Sequence, residues 1–304
     1  MMSYNNYLMR AALCTAIAMG CLCSCTGEGE SEVSALKYIT VAPSIVKGIT
    51  RTYSDSTGTH FSVGDGVTVY AWTGANNYVV QPCVVDGVVN TLGEDGTWSA
   101  ASPMTWGDMV SPHYFLGIYP PRTVTDFYAD PFSLTPGDEN ASDLLVGTNT
   151  TGLLPTDEPV GIVFDHLMAM LQVNLLFRNQ WPTVPDDVSV GCTALTEGTI
   201  YYMRKYVAAT GDSSAVTLHP TVTADGYALS HRAIMIPQRG LTSVTVTVEG
   251  REFTYTHPRD IPLESGRITT VNLILGRQTI ELGSIVIDDW EEGRTITGTG
   301  LQVQ

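Results

Sequence analysis

Basic residues are scarce: Lys and Arg together number 15 against 31 Asp and Glu, for a net charge of −16. Such a surface repels a phosphate backbone and offers it no footprint, so nucleic acid is not an expected partner. Charge of either sign is limited to 15% of the 304 residues while 43% are hydrophobic, which excludes disorder as the main state and suffices for one large core or two ordinary ones. The 29 Gly and 16 Pro are too few and too irregular for collagen or low-complexity sequence. No segment sustains an apolar period of 3.6, and the one long apolar run lies at the extreme N-terminus. A bundle of membrane-spanning helices is therefore not expected.

That run, Ala11 to Met19, follows a polar stretch with Arg10 and closes on Gly20-Cys21-Leu22-Cys23-Ser24-Cys25. It reads as an export signal, too short to span a bilayer. Leu22 to Cys25 has the form of a lipobox, with signal peptidase cutting between Ser24 and Cys25 and the Cys25 thiol carrying lipid. An ordinary signal cut nearby would leave Cys25 as an unpaired exposed thiol, which secreted chains rarely keep, and Ala18 to Cys21 is a weaker lipobox. Cleavage leaves only Cys83 and Cys192 in the body, so a disulfide framework is excluded. One bridge between them is conceivable in an oxidising compartment, but two buried thiols are expected. After Cys25, Thr26-Gly27-Glu28-Gly29-Glu30-Ser31-Glu32 is an acidic, flexible tether similar to the export tags of lipoproteins on the outer leaflet of the outer membrane.

The body alternates with period two. Ile39, Val41, Pro43 and Ile45 share one face of a strand over Tyr38 to Val46, and Pro43, which has no N–H for a ladder, makes it an edge strand or one that bends. Val67 to Trp72 is a second strand, and Val84-Val85-Asp86-Gly87-Val88-Val89 reads as a two-residue hairpin. Tyr114 to Tyr119 stops at Pro120-Pro121. From Ile162 to Phe177 the apolar positions change from even to odd, as in one strand with a bulge, and Trp181-Pro182 with Pro185-Asp186-Asp187 makes a natural start for a second unit. Val244 to Val248 and Phe253 to Tyr255 flank Glu249-Gly250 as another hairpin, followed by strands over Ile268 to Leu275 and Ile280 to Ile287. Short strands between turn residues argue for β-sandwiches, and the length for two.

Motifs for chemistry are missing. There is no Gly-x-Ser-x-Gly elbow and no His-Glu-x-x-His, and the six histidines stand singly. Asp138, Asn140 and Ser142 begin like a calcium loop, but Asp143 stands where glycine is needed and Asn149 where a bidentate glutamate is needed. Asp165 and His166 are neighbours on a strand and so point to opposite faces, which disqualifies them as an acid–base pair. No metal and no cofactor is expected, and no catalysis.

Several blocks in order resemble the fimbrillin (Mfa-like) family of type V pilus subunits and related surface lipoproteins. These are Arg51-Thr52 with Phe61 to Tyr70, Tyr114 to Pro120, Ser142 to Leu145, Val163 to Leu167, Leu263 to Leu273, and Ile285 to Trp290. The resemblance implies an all-β fold of two tandem transthyretin-like β-sandwich domains without enzymatic activity. The domain organisation becomes 1–24 signal peptide, 25–50 acidic tether and N-terminal strand, 51–165 N-terminal sandwich and 166–304 C-terminal sandwich. Stalk subunits of such a family are exported as lipoproteins and cut after an arginine, which removes the first strand and opens a groove for another subunit's extended segment. Anchor and tip relatives need not be cut. Arg51 occupies the matching place here, although an ordinary loop arginine would look the same.

The expected partners are therefore other fimbrillin-type subunits by donor-strand exchange, host or bacterial surface ligands, and the outer membrane through the lipid. The expected location is the cell surface or a fimbrium. Thr295 to Gln304, with Ile296, Leu301 and Val303, is a candidate donor strand that has the alternative of pairing inside its own domain. A carbohydrate-binding surface lipoprotein is the competing reading, resting on Trp72, Trp98, Trp106 and Trp181 as sugar platforms, and their exposure decides it.

Overall fold

The computed structural model describes residues 37–45, 60–80 and 82–290. Its first eight strands are β1 (Val41–Ile45), β2 (Gly66–Thr73), β3 (Cys83–Leu92), β4 (Trp98–Ala100), β5 (His113–Tyr119), β6 (Asp130–Ser133), β7 (Leu145–Thr148) and β8 (Val160–His166), with one helical turn, α1 (Glu139–Ser142), before β7. All but β6 form a seven-stranded sheet in the order β1-β8-β7-β5-β2-β3-β4. Then come β9 (Ala169–Phe177), β10 (Val188–Tyr201), β11 (Tyr206–Pro220), β12 (Leu229–Met235), β13 (Ser243–Val248), β14 (Arg251–Thr256), β15 (Arg267–Leu275) and β16 (Ile280–Asp289). They are ordered β14-β13-β10-β11-β12-β9-β15-β16. Strands β11 and β12 share only His219↔Arg232 and Pro220↔His231, so the sheet turns a corner there and its two leaves enclose Val173, Leu175, Val190, Val246 and Leu273. The fold is all-β with two tandem sandwich bodies, as the sequence implied.

Three apolar cores, not two, hold it together. One fills the first body around Val67, Val69, Phe115 and Phe164, and one fills the second. The third lies between them, where Tyr70, Trp72, Leu116, Ile118 and Val146 meet Met168, Met170, Ile200, Tyr202, Val207 and Ile234. Strand β2 is consequently buried on both faces, with Val67, Val69 and Ala71 in one core and Tyr70 and Trp72 in the other. Strand β6 completes the joint by leaving the first sheet to pair with β10, Asp130 opposite Ile200 and Ser133 opposite Glu197.

Three sequence expectations are corrected. Asp86-Gly87 does not turn a hairpin: β3 runs straight through, and the two residues bulge opposite Tyr70, between the pairs Val69↔Val88 and Ala71↔Val85. Gly87 has φ +69°, and a Cβ there would stand 3.0 Å from the Tyr70 hydroxyl, so the residue that suits a turn is used to seat a ring. The phase change within Ile162 to Phe177 is likewise no bulge. The strand ends at His166, and β9 begins three residues later in the other sheet, facing another core. Trp181 and the turn after it connect β9 to β10 inside the second body. The Glu249-Gly250 hairpin forms as expected, both residues having positive φ.

At the joint, Asp130 is 1% exposed and fully partnered. Its carboxylate accepts from Arg122 Nη2 at 3.0 Å, Thr125 N at 3.0 Å, Thr125 Oγ1 at 2.7 Å and the Tyr202 hydroxyl at 2.9 Å. Burial raises the Tyr202 pKa, so the hydroxyl keeps its proton and donates. Asp130→Ala removes the buried acceptor shared by the half-buried Arg122 guanidinium, Thr125 and the buried Tyr202 hydroxyl, and should cost roughly 3–5 kcal/mol in urea denaturation. Tyr202→Phe, which removes one bond to a charge, should cost about 1.5–3 kcal/mol. Equal losses for the two variants would contradict this reading of the network.

Candidate functional site

The N-terminal segment lies between two edges. On one side β1 pairs in parallel with β8, Val41↔Val160 through Ile45↔Phe164. On the other, Tyr38 bridges Thr105, Ile39 N donates to Met104 O at 2.8 Å and Trp106 N donates to Lys37 O at 3.1 Å. Residues 37–45 thus close the first body between the edge of β8 and the chain that follows β4. Ile39, Val41 and Ile45 point into the first core at 8% exposure or less, while Thr40, Ala42 and Ser44 face outward. Val160 N donates to Thr40 O at 2.8 Å, which sets the phase of the ladder. Even-numbered N–H groups face β8, and the Pro43 nitrogen falls on the other side, where no strand pairs with β1 among the described residues.

A sequence model of fimbrillin-like proteins matches residues 50–290. The chain belongs to the fimbrillin-like family. This is a family of fimbrial and adhesive proteins and not of enzymes. The match begins after β1, so the closing segment precedes the matched part of this fimbrillin-like chain. Among solved structures, a proposed cell adhesion protein from Bacteroides ovatus aligns with TM-score 0.68 at 16% identity, over 84% of this chain and 98% of that one. Another from Bacteroides uniformis aligns with TM-score 0.61 at 20% identity, over 76% and 93%. A fimbrial protein from Bacteroides vulgatus aligns with TM-score 0.51 at 12% identity, over 84% and 100%. At these identities the likeness shows the fold. No curated protein matches the chain.

Four of the blocks that carry the family resemblance, those containing Leu144, Leu167, Gly266 and Trp290, meet at the joint between the bodies. Leu167 N donates to Leu144 O at 2.9 Å, Gly266 N to Met168 O at 2.8 Å and Trp290 N to Gly266 O at 2.9 Å. The Trp290 ring stacks on His166 at 4.3 Å, and His166 Nδ1 lies 2.9 Å from Asp143. Asp165 faces the opposite way and accepts from Lys205 Nζ at 2.7 Å, so the two neighbours form no acid–base pair. These contacts in the fimbrillin-like motifs hold the two bodies together.

The other sequence candidates separate cleanly. Ser24, Cys25, Arg51 and the tail Thr295 to Gln304 lie outside the described residues. Asp138 caps α1 by accepting from Ala141 N at 2.9 Å, and Asn149 accepts from the distant Phe115 N at 2.6 Å, so the two ends of the resemblance to a calcium loop serve a helix cap and a strand contact. Cys83 and Cys192 are free thiols, and burial pushes Cys192 up to about 12, away from reactivity. Trp72, Trp106 and Trp181 are buried, and Trp98 is half-buried against Phe61, which removes the sugar platforms from which the carbohydrate reading was drawn. The second edge at Met104 to Trp106 had no signal in the sequence, because a three-residue pairing has no period.

Proposed function

We propose that this fimbrillin-like chain is a lipid-anchored surface subunit of a type V pilus, structural or accessory at tip or anchor, that assembles by strand exchange and serves in adhesion. The observation that carries the reading is the closing segment, which makes backbone bonds on both sides and drops three side chains into a core formed by the rest of the first body. It is joined to that body through the stretch containing Arg51, and cutting there would leave two strand edges and an apolar channel unfilled. The vacancy matches an extended segment with alternating apolar residues, which Thr295 to Gln304 of another copy would supply through Ile296, Leu301 and Val303 with a bulge at its glycines to correct the phase. Cys25 would hold the subunit at the outer membrane until then, a lipidated cysteine being a sufficient anchor when it bears two or more chains.

The test trims purified protein with an arginine-specific protease and follows size by light scattering. Oligomers should form only after trimming and should disappear when residues 295–304 are deleted. A trimmed protein that stays monomeric at high concentration would remove strand exchange and leave a non-polymerising role.

A further inference from the structure

Two loops beside the joint use the same local device. Asn76 Oδ1 accepts from Tyr78 N at 2.9 Å, and Asp126 Oδ1 accepts from Tyr128 N at 2.7 Å. Each is an Asx turn that fixes a loop and presents a tyrosine two residues on. The loops are also tied to each other, because the Tyr128 hydroxyl donates to Tyr78 O at 2.7 Å and accepts from Val80 N at 3.1 Å. Beneath them Phe127 stands edge-on to Tyr70 at 5.0 Å and Val80 is buried, which anchors both loops in the core between the bodies. What this frame holds in water is apolar: Tyr78 and Val79 are each 61% exposed and Tyr128 47%. A lone exposed ring needs no explanation, but three such side chains on loops bonded to each other make a patch.

We infer that Tyr78, Val79 and Tyr128 form a platform for a neutral glycan chain. The Tyr128 ring, already fixed through its hydroxyl, loses little freedom on contact, and a tyrosine face offers flat apolar area to the C–H side of a sugar ring. The adjoining Asn76, Asn77 and Asp126 side chains bring amide donors and a carboxylate acceptor suited to hydroxyls. Charge selects the class. Between His60 and Val160 the sequence has one lysine or arginine, Arg122, which is paired with Asp130, so that stretch offers no free guanidinium or ammonium to a sialylated, sulfated or phosphorylated ligand.

The full chain is to be applied to an array bearing mannotetraose, cellotetraose, chitotetraose and lacto-N-tetraose beside sialylated and sulfated oligosaccharides, with the strongest neutral ligand then titrated by calorimetry. The Tyr78 ring makes no hydrogen bond among the described residues, so Tyr78→Ala keeps the fold and should weaken binding at least tenfold. Tyr128→Phe keeps the ring but loses both ties, and should weaken it by a smaller factor. Retention confined to acidic glycans, no retention on any neutral one, or binding that Tyr78→Ala leaves unchanged would overturn the platform. Neither variant touches residues 37–45, so this outcome is independent of the assembly reaction.

Discussion

A chain shortened to begin after Arg51 should melt at least about 10 °C below the full chain and should recover when a synthetic peptide of residues 37–46 is added in trans. The shortening removes Ile39, Val41 and Ile45 from the first core. Full burial of three such side chains contributes roughly 5–9 kcal/mol, comparable to the whole stability of an ordinary domain. The backbone loss adds to this, because Val160 N and Met104 O surrender their partners in a half-buried channel. A control peptide carrying Val41→Asp should not rescue, since its carboxylate would have to enter an apolar socket unpaired. Calorimetry of the shortened chain with each peptide makes the check. Unchanged melting without the peptide would mean that residues 37–45 contribute no net stability to the first body.

Separating the two bodies should have a larger effect still. A fragment of residues 168–290 keeps its own core but exposes Met168, Met170, Ile200, Tyr202, Val207 and Ile234, and it loses β6 from the side of β10. We expect it to bind a hydrophobic dye and to lack a sharp near-ultraviolet signal, the marks of secondary structure without fixed packing. The fragment 37–167 should behave alike. Co-expression of the two should restore a cooperative transition, because β6 and the six side chains regain their seats. Sharp, independent melting of each fragment would show that the core between the bodies contributes little.

Where local pattern and long-range pairing agree, the sequence was legible. The alternation from Ile39 to Ile45 placed the right side chains inward, and Pro43 identified an edge. Where one local signal serves two global arrangements, it was not. Asp-Gly between valine pairs suits a tight turn and a bulge equally, and the choice was made by Tyr70, a residue distant in sequence that pairs opposite the bulge. A change of parity near Leu167 marks either an extra residue in one strand or the passage to a new sheet, and only the neighbours distinguish them. The hairpin of β10 and β11 escaped notice because Thr210 to Ala215 is exposed on both faces and carries no apolar period. The tryptophans were found but misplaced, since a residue type says nothing of which side of a strand meets a second body. Tyr78 and Tyr128 were passed over for the same reason.

Pro43 has a consequence for how identical chains meet. A surface crowded with identical all-β subunits, each presenting the outer side of a terminal strand, is the situation in which sheets recruit one another without limit. Here the row of outward backbone groups is interrupted at its centre by a nitrogen that has no hydrogen to give. A neighbour can dock beside β1 only across that gap, which guards the chain against edge-to-edge fibre growth and, under the strand-exchange proposal, leaves enlargement to replacement of the segment.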